Sequence, residues 1–390
     1  MRYDAGMKKN WKINLQKTLL GGIDPRQFLE EYWQKKPLLI RAAIPGFTGL
    51  LSAEELAGLA CEEDVQSRLV TQRQKKWRVE QGPFEEARFL KLPEKDWTLL
   101  VQGVNHHMPE ASALLQQFDF IPHARLDDLM VSYAPDGGGV GPHFDSYDVF
   151  LLQGEGKRLW RVSEQEDLTL IDGAALRILE NFQTEQEWLL EAGDMLYLPP
   201  HIAHWGIAVG DCMTYSIGFR APSAQELVHE FLGFLQERYV PEGMYADPDL
   251  ELQQHPAKIG TAMLDQVAGM LNNIRWNKAD VAEFLGRYLS EPQPHVMFDN
   301  PAPVSESAFH KRLQKKGVDL SLKSQLLFHE KHFFMNGEQV EIPESSGELM
   351  RQLADQRHLA AMSFTEDFKD EFLVKQLHEW YLAGYLRFPE

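Results

Sequence analysis

The sequence predicts an α+β protein in three parts: an antiparallel barrel or sandwich, a helical segment and a winged-helix unit. Three observations predict it. Between about 66 and 222, short apolar or alternating runs are broken by Gly, Pro and Asp. After Pro222 these runs cease and amphipathic helical patterns take over. Beyond a stretch with four prolines at 291–304, helical patterns return with a single hairpin, the composition of a winged helix. Many short strands between turn signals are how barrels and sandwiches read. The expected boundaries are 1–222, 223–300 and 301–390.

Residues 24–36, DPRQFLEEYWQKK, predict a helix with Asp24 as N-cap and Pro25 in its first turn. Phe28, Leu29, Tyr32 and Trp33 share one face of it. Pro37 stops the helix, and PLLIRAAI then reads as a buried strand. SAEELAGLACEED is a second helix, opened by a capping box from Ser52 to Glu55. The strand region holds RLVTQ, KWRVEQG, LMVSYAP, DVFLLQGEG, KRLWRVS, MLYLPP and MTYSIGF. AQELVHEFLGFLQERYV, AMLDQVAGMLNNI and KADVAEFLGRYLS follow as helices. They carry more apolar surface than a connector needs, and Phe231, Phe234 and Leu235 are candidates to pack on a second copy. The last part offers the helix SAFHKRLQKK, then FFM-NG-EQVEI with a type I′ Asn-Gly turn, then helices around ELMRQLADQ and EFLVKQLHEWYLAGY.

A chain of 390 residues exceeds one ordinary core, and its 44% apolar and 11% aromatic content can fill two or three. Two cysteines, Cys61 and Cys212, make no disulfide framework and suit a reducing compartment. MRYDAGMKKNWKINLQ has no apolar core of the secretory kind, and no apolar run reaches the roughly 20 residues of a membrane span. A cytoplasmic protein without a membrane partner is expected. The net charge of −19 repels nucleic acid and attracts basic partners. Residues 305–390 carry eleven Lys and Arg against fourteen Asp and Glu, so no direct DNA binding is expected of the winged helix.

The chemistry concentrates in GGGVGPHFDSYDVF, 137–150. On an extended chain His143 and Asp145 leave the same face, offering two adjacent ligands to a metal. The glycines before them leave room for something to approach. A third ligand can come from GDMLYLPPHIAHWGIAV, through His201 or His204. Two histidines and a carboxylate leave open coordination positions, the arrangement of non-haem Fe(II) oxygenases. Without that third ligand, His-x-Asp is an ordinary strand end with surface polar groups.

These segments resemble the Jumonji-C-type 2-oxoglutarate oxygenases, which share a double-stranded β-helix (jelly-roll, cupin-like). FLEEYWQKKPLLIR, LVQGVNHH, RLDDLMVSYAPDGGGVGPHFDSYDVFLLQGEGKRLWRV, GDMLYLPPHIAHWG and YSIGFRAPS are similar to the bacterial ribosomal oxygenases that hydroxylate an arginine of a large-subunit ribosomal protein. The resemblance covers roughly 20–225. It implies Fe(II) held by His143, Asp145 and His204, with His201 peripheral. It also implies 2-oxoglutarate as cosubstrate, a basic ribosomal protein (the sixteenth of the large subunit) as substrate, and dimerisation through the helices after 222.

The distal carboxylate of 2-oxoglutarate needs a cation and a hydroxyl. Lys157 and Arg158 are adjacent, so only one can face inward. The spacing from His143 and the resemblance favour Arg158, whose fork holds a carboxylate bidentately. On LDDLMVSY, Asp128, Met130 and Ser132 share a face. Ser132 can then stand beside Arg158. The resemblance assigns Asp128, Met130 and Tyr147 to the substrate arginine, through charge pairing, thioether packing and a cation–π contact. Two other classes compete: a cupin-type metal isomerase or hydrolase, separated by O₂ uptake with 2-oxoglutarate, and a winged-helix regulator sensing a small ligand, separated by a gel shift.

Overall fold

The computed structural model of the chain describes residues 19–73, 76–240, 242–365, 368 and 370–389. The amino-terminal stretch MRYDAGMKKNWKINLQ, read above as lacking a secretory signal, lies outside them. Among the described residues no helix is long and apolar enough to cross a membrane.

Among the described residues eleven strands form the first part: β1 Leu38–Ile40, β2 Ser67–Arg73, β3 Lys76–Gln81, β4 Trp97–Val101, β5 Leu126–Ala134, β6 Val149–Gln153, β7 Lys157–Ser163, β8 Gln186–Glu191, β9 Met195–Leu198, β10 Ala203–Val209 and β11 Cys212–Phe219. A large sheet has the order β1-β9-β6-β11-β5-β4-β2-β3, and a small one β10-β7-β8. The two face each other as a double-stranded β-helix.

β6 shows why. Its five residues are all buried, and they alternate between two cores. Val149 and Leu151 point between the sheets with Trp160, Val162 and Leu196. Phe150 and Leu152 point the other way, into a core with Phe28, Phe118, Tyr197 and Phe219. A strand covered on both faces reads as a continuous apolar run, which is what DVFLL is. Each such side chain contributes about 1.5–3 kcal/mol when fully buried, so the outer face must keep its helical cover. That cover includes Pro25–Glu31, N-capped by Asp24, and Ala53–Leu59, opened by the Ser52–Glu55 capping box.

Local signals overreach in three places. The first helix ends at Glu31, not Lys36. Its extension turns back at Gln34 (φ 57°), whose amide donates to the buried Asp148 carboxylate at 2.9 Å. β1 is only three residues long, because Ala42 turns (φ 48°) to donate its N–H to Asp194. The extended chain expected from His143 into DVF is broken: residues 144–148 bend between the small sheet and β6. Strands β4 and β8 were not anticipated.

After β11 come helices Ala224–Arg238, Thr261–Leu271 and Lys278–Ser290. Phe231 and Phe234 pack within the chain against Phe284, with ring centroids 5.2 and 5.9 Å away, and Leu235 is buried. These three are not the free apolar surface the sequence suggested. One turn round the helix, Val228 and Leu232 are 58% and 60% exposed, and Met263 and Leu264 on the next helix are open as well.

The last part centres on Phe309, Leu313, Met350, Leu377 and Trp380. Its hairpin is β14 His332–Met335 and β15 Glu338–Glu341, with Asn336 and Gly337 both at positive φ, as a type I′ turn requires. The expected single hairpin gains a third strand, β13 Leu326–His329, after β12 Val318–Leu320. A second sheet joins β12 to β16 His358–Leu359 and β17 Leu386–Arg387, segments too short to leave an alternation in sequence. Helix Lys278–Ser290 lies on this unit so closely that a Cβ at Gly286 would stand 2.3 Å from the Phe334 ring.

Candidate active site

The glycine run lies against the protein's own backbone. A Cβ at Gly138 would stand 2.0 Å from the Trp97 carbonyl, and one at Gly139 2.3 Å from that of Gly206. Gly141 has φ +83° and fits under Trp77 and Ile178. The room these glycines leave is taken by chain, and the result is that His143 is held in place.

His143 and His204 exchange both backbone hydrogen bonds, at 2.9 and 2.8 Å, as a cross-strand pair between the 143 segment and β10. Residues directly opposite in such a pair present their side chains on the same face. The ring centroids are 4.2 Å apart. Asp145 Oδ2 lies 3.6 Å from His204 Nε2, and ligand atoms of His143, Asp145 and His204 all fall within 4.8 Å of one another. The Nδ1 atoms face backbone carbonyls, Gly141 at 3.0 Å and Ile202 at 2.9 Å. A carbonyl can only accept, so each Nδ1 carries a proton, which leaves Nε2 as the nitrogen able to meet a metal. Burial, and after it the adjacent His143, hold His204 down at about 4, so it is neutral at physiological pH. His201 is elsewhere: exposed, at φ 66°, giving its N–H to the Asp145 carbonyl at 2.8 Å.

Parity on β7 separates the two candidate cations. Arg158, Trp160 and Val162 are buried, whereas Lys157 is exposed and pairs with Glu191 at 2.5 Å. Arg158 is 5% exposed, and its Nε and Nη2 have no hydrogen-bond partner. Its guanidinium carbon lies 5.9 Å from the Trp160 ring, and that ring is 5.8 Å from His204. Ser132 is buried on β5, opposite Leu100 of β4 and Thr214 of β11.

All eight predicted site residues line one cavity of about 550 Å³: the three ligands, Arg158, Ser132, Asp128, Met130 and Tyr147. Asp128 accepts the Gly103 N–H at 2.8 Å. Burial, and after it Asp127, raise its carboxyl to about 7. Tyr147 stands at the rim, 42% exposed. Arg68, Gln102, Trp160 and Thr214 also line the cavity and were not singled out. Parity with Arg158 could have found Trp160. Nothing local marks Arg68, which enters only through the pairing of β2 with β4. Asn105 is buried as well, and its Oδ1 accepts the Leu129 N–H at 2.8 Å.

Residues 113–227 match the model of the JmjC domain, and 273–387 that of the ROXA-like winged helix. The "Ribosomal protein uL16 3-hydroxylase" of Escherichia coli K12 is 34% identical over 361 residues, 92% of this chain and 96% of that one. The "Probable ribosomal oxygenase" of Haemophilus influenzae is 39% identical over 254 residues, 64% of this chain and 60% of that one. The solved structure of the Escherichia coli ribosomal oxygenase YcfD in complex with cobalt and 2-oxoglutarate superposes with a TM-score of 0.81 at 34% identity, covering 94% of this chain and 99% of the other.

Proposed function

Because the chain belongs to the JmjC-domain ribosomal oxygenases, we propose that it hydroxylates an arginine side chain of ribosomal protein uL16, using Fe(II) and 2-oxoglutarate. The observation that carries this is the sharing of one cavity by the His-Asp-His cluster and a buried cation with unpaired N–H groups. A protein tolerates such orphan donors poorly unless a ligand completes them.

His143, Asp145 and His204 would hold the ion, with the two Nδ1–H bonds fixing ring tautomer and orientation. Fe(II) and 2-oxoglutarate, when bound, would supply the oxidation, with O₂ and 2-oxoglutarate giving succinate, CO₂ and one oxygen atom inserted into a substrate C–H bond. Arg158 and the Ser132 hydroxyl receive the distal carboxylate at the deep end. Trp160 and Leu151 wall the space between, keeping water from it. Asp128, Met130 and Tyr147 take the substrate guanidinium at the mouth, so that one C–H bond is held where reaction occurs. Mass spectrometry of large-subunit proteins incubated with enzyme, Fe(II) and 2-oxoglutarate should show uL16 gaining one oxygen on an arginine. No gain on any ribosomal protein overturns the reading.

Asp128 gives this proposal a pH signature. Its raised carboxyl is largely protonated below about 7 and charged above it, and only the carboxylate pairs with a guanidinium. The KM for substrate should therefore fall as pH rises from 6 to 8. Asp128→Asn should raise KM about 10–100-fold, the scale of a charged hydrogen bond, and flatten that dependence. An unchanged slope in the variant assigns it to another group.

We propose a homodimer through the helices after 222, supported by the exposed Val228, Leu232, Met263 and Leu264, apolar side chains of the kind that mark association surfaces. Light scattering should give twice the 44.8 kDa chain mass, and Leu232→Glu should return it to one. The cytoplasm, where ribosomal proteins are made, is the proposed location.

A further inference from the structure

Besides the Trp160 Nε1–H, two unpaired polar atoms of cavity-lining residues remain after the cosubstrate and the guanidinium have been assigned. Arg68 Nε and Gln102 Oε1 are both buried without a hydrogen-bond partner, one a donor and the other an acceptor. Both residues line the active-site cavity. Their placement follows from register. Arg68 on β2 pairs with Leu100 on β4, and Gln102 follows Leu100 by two, so the two side chains leave the same face as diagonal neighbours, roughly 7–8 Å apart at their roots. The backbone continues this pairing, with Gln102 N–H donating to Gln66 O at 2.9 Å.

As a pair the two atoms do not suit a second guanidinium, which offers donors only and nothing for the Arg68 N–H. Arg68 is itself a cation, and its Nη2 already lies 3.9 Å from Met130 Sδ, beside the group that would pack the substrate side chain. A donor and an acceptor side by side match a polypeptide backbone, where each residue offers one C=O and one N–H. The course of such a chain is also marked. A second cavity of about 280 Å³ lies between the catalytic sheet and the C-terminal unit, and it shares Gln102, Asp127 and Asp128 with the first. Its far side is formed by His295, Lys323 and Gln325.

We propose that Arg68 and Gln102 bind the main chain of the substrate polypeptide, Arg68 donating to a carbonyl and Gln102 accepting from an N–H, and so set which residue reaches the iron site. The flanking chain then runs into the cleft against the C-terminal unit. This rests on the proposed hydroxylation of a ribosomal protein and names how that protein is read.

The test compares full-length wild type, Arg68→Met, Arg68→Lys and Gln102→Leu on recombinant uL16 and on an arginine peptide from its modified site. KM for the protein and the Kd of the labelled peptide should rise at least tenfold in Arg68→Met and Gln102→Leu. Each variant should keep the wild-type circular dichroism spectrum and the rise in melting temperature on adding 2-oxoglutarate, which shows that it is folded. Arg68→Lys keeps the charge without the Nε–H and should resemble Arg68→Met. A peptide N-methylated at the amide facing Gln102 should weaken binding to wild type but cost Gln102→Leu nothing further. Unchanged substrate KM and Kd in both variants overturns the assignment, as does full recovery in Arg68→Lys, which would make the effect one of charge alone. If wild type itself modifies no ribosomal protein, the proposed function falls first, and the two failures are told apart.

Discussion

A His143→Ala protein is expected to form no iron-dependent succinate above background, a loss of more than about 100-fold, beyond the 10–100-fold typical of removing a partner that only supports a ligand. Metal content after loading should fall with it. His143 is the better ligand to remove. His204 is 2% exposed and packs beside Trp160, so its truncation would add a core defect to a lost ligand. His143 is only partly buried, and its backbone bonds to His204 do not depend on its side chain. The alanine variant should therefore unfold within a few degrees of wild type measured without metal. Retained turnover with 2-oxoglutarate would leave the proposed chemistry without a centre.

Arg158→Ala carries the second large effect. The guanidinium is buried, two of its nitrogens have no partner among the described residues, and the Trp160 ring lies 5.9 Å from its charge. A buried cation lacking an anion costs stability. Its removal should raise the 2-oxoglutarate KM about 100-fold or more without lowering the melting temperature of the ligand-free protein. Saturating 2-oxoglutarate should stabilise wild type by mass action, about 2.7 kcal/mol at 100 times Kd, and Arg158→Ala hardly at all. Lys157→Ala, which loses only an exposed pair with Glu191, should match wild type in both measurements. An unchanged 2-oxoglutarate requirement in Arg158→Ala would move the anion elsewhere in the cavity.

These two residues also show how legible the site was. Arg158 rather than Lys157 faces inward because strand geometry has a period of two, whereas Asp145 lies in the bent segment after His143 and meets His204 from there. The alternation of Asp128, Met130 and Ser132 held as well, since Leu129 and Val131 on the opposite face belong to the outer core. By contrast, the glycine run was misread. Its purpose depends on Trp97 and Gly206, which lie far from it in sequence and touch it only in the fold. Phe231, Phe234 and Leu235 were misplaced because one apolar stripe does not say which neighbour covers it, and here Phe284 does.

The amino-acid order by itself determined what depends on a few neighbouring residues: helix caps at Asp24 and Ser52, the Asn336-Gly337 turn, the inward parity of each strand, and the division into a strand-rich part and helical parts. Tertiary structure alone decided the partners. β5 pairs with β11 some eighty positions later, β4 with β2 across a hairpin, and His143 with His204 across sixty residues. Such pairings are chosen by the summed burial of whole faces, a quantity no local window contains. That is why the His-Asp-His cluster could be anticipated from its members, while Arg68 and Gln102 emerged only when the sheet was assembled.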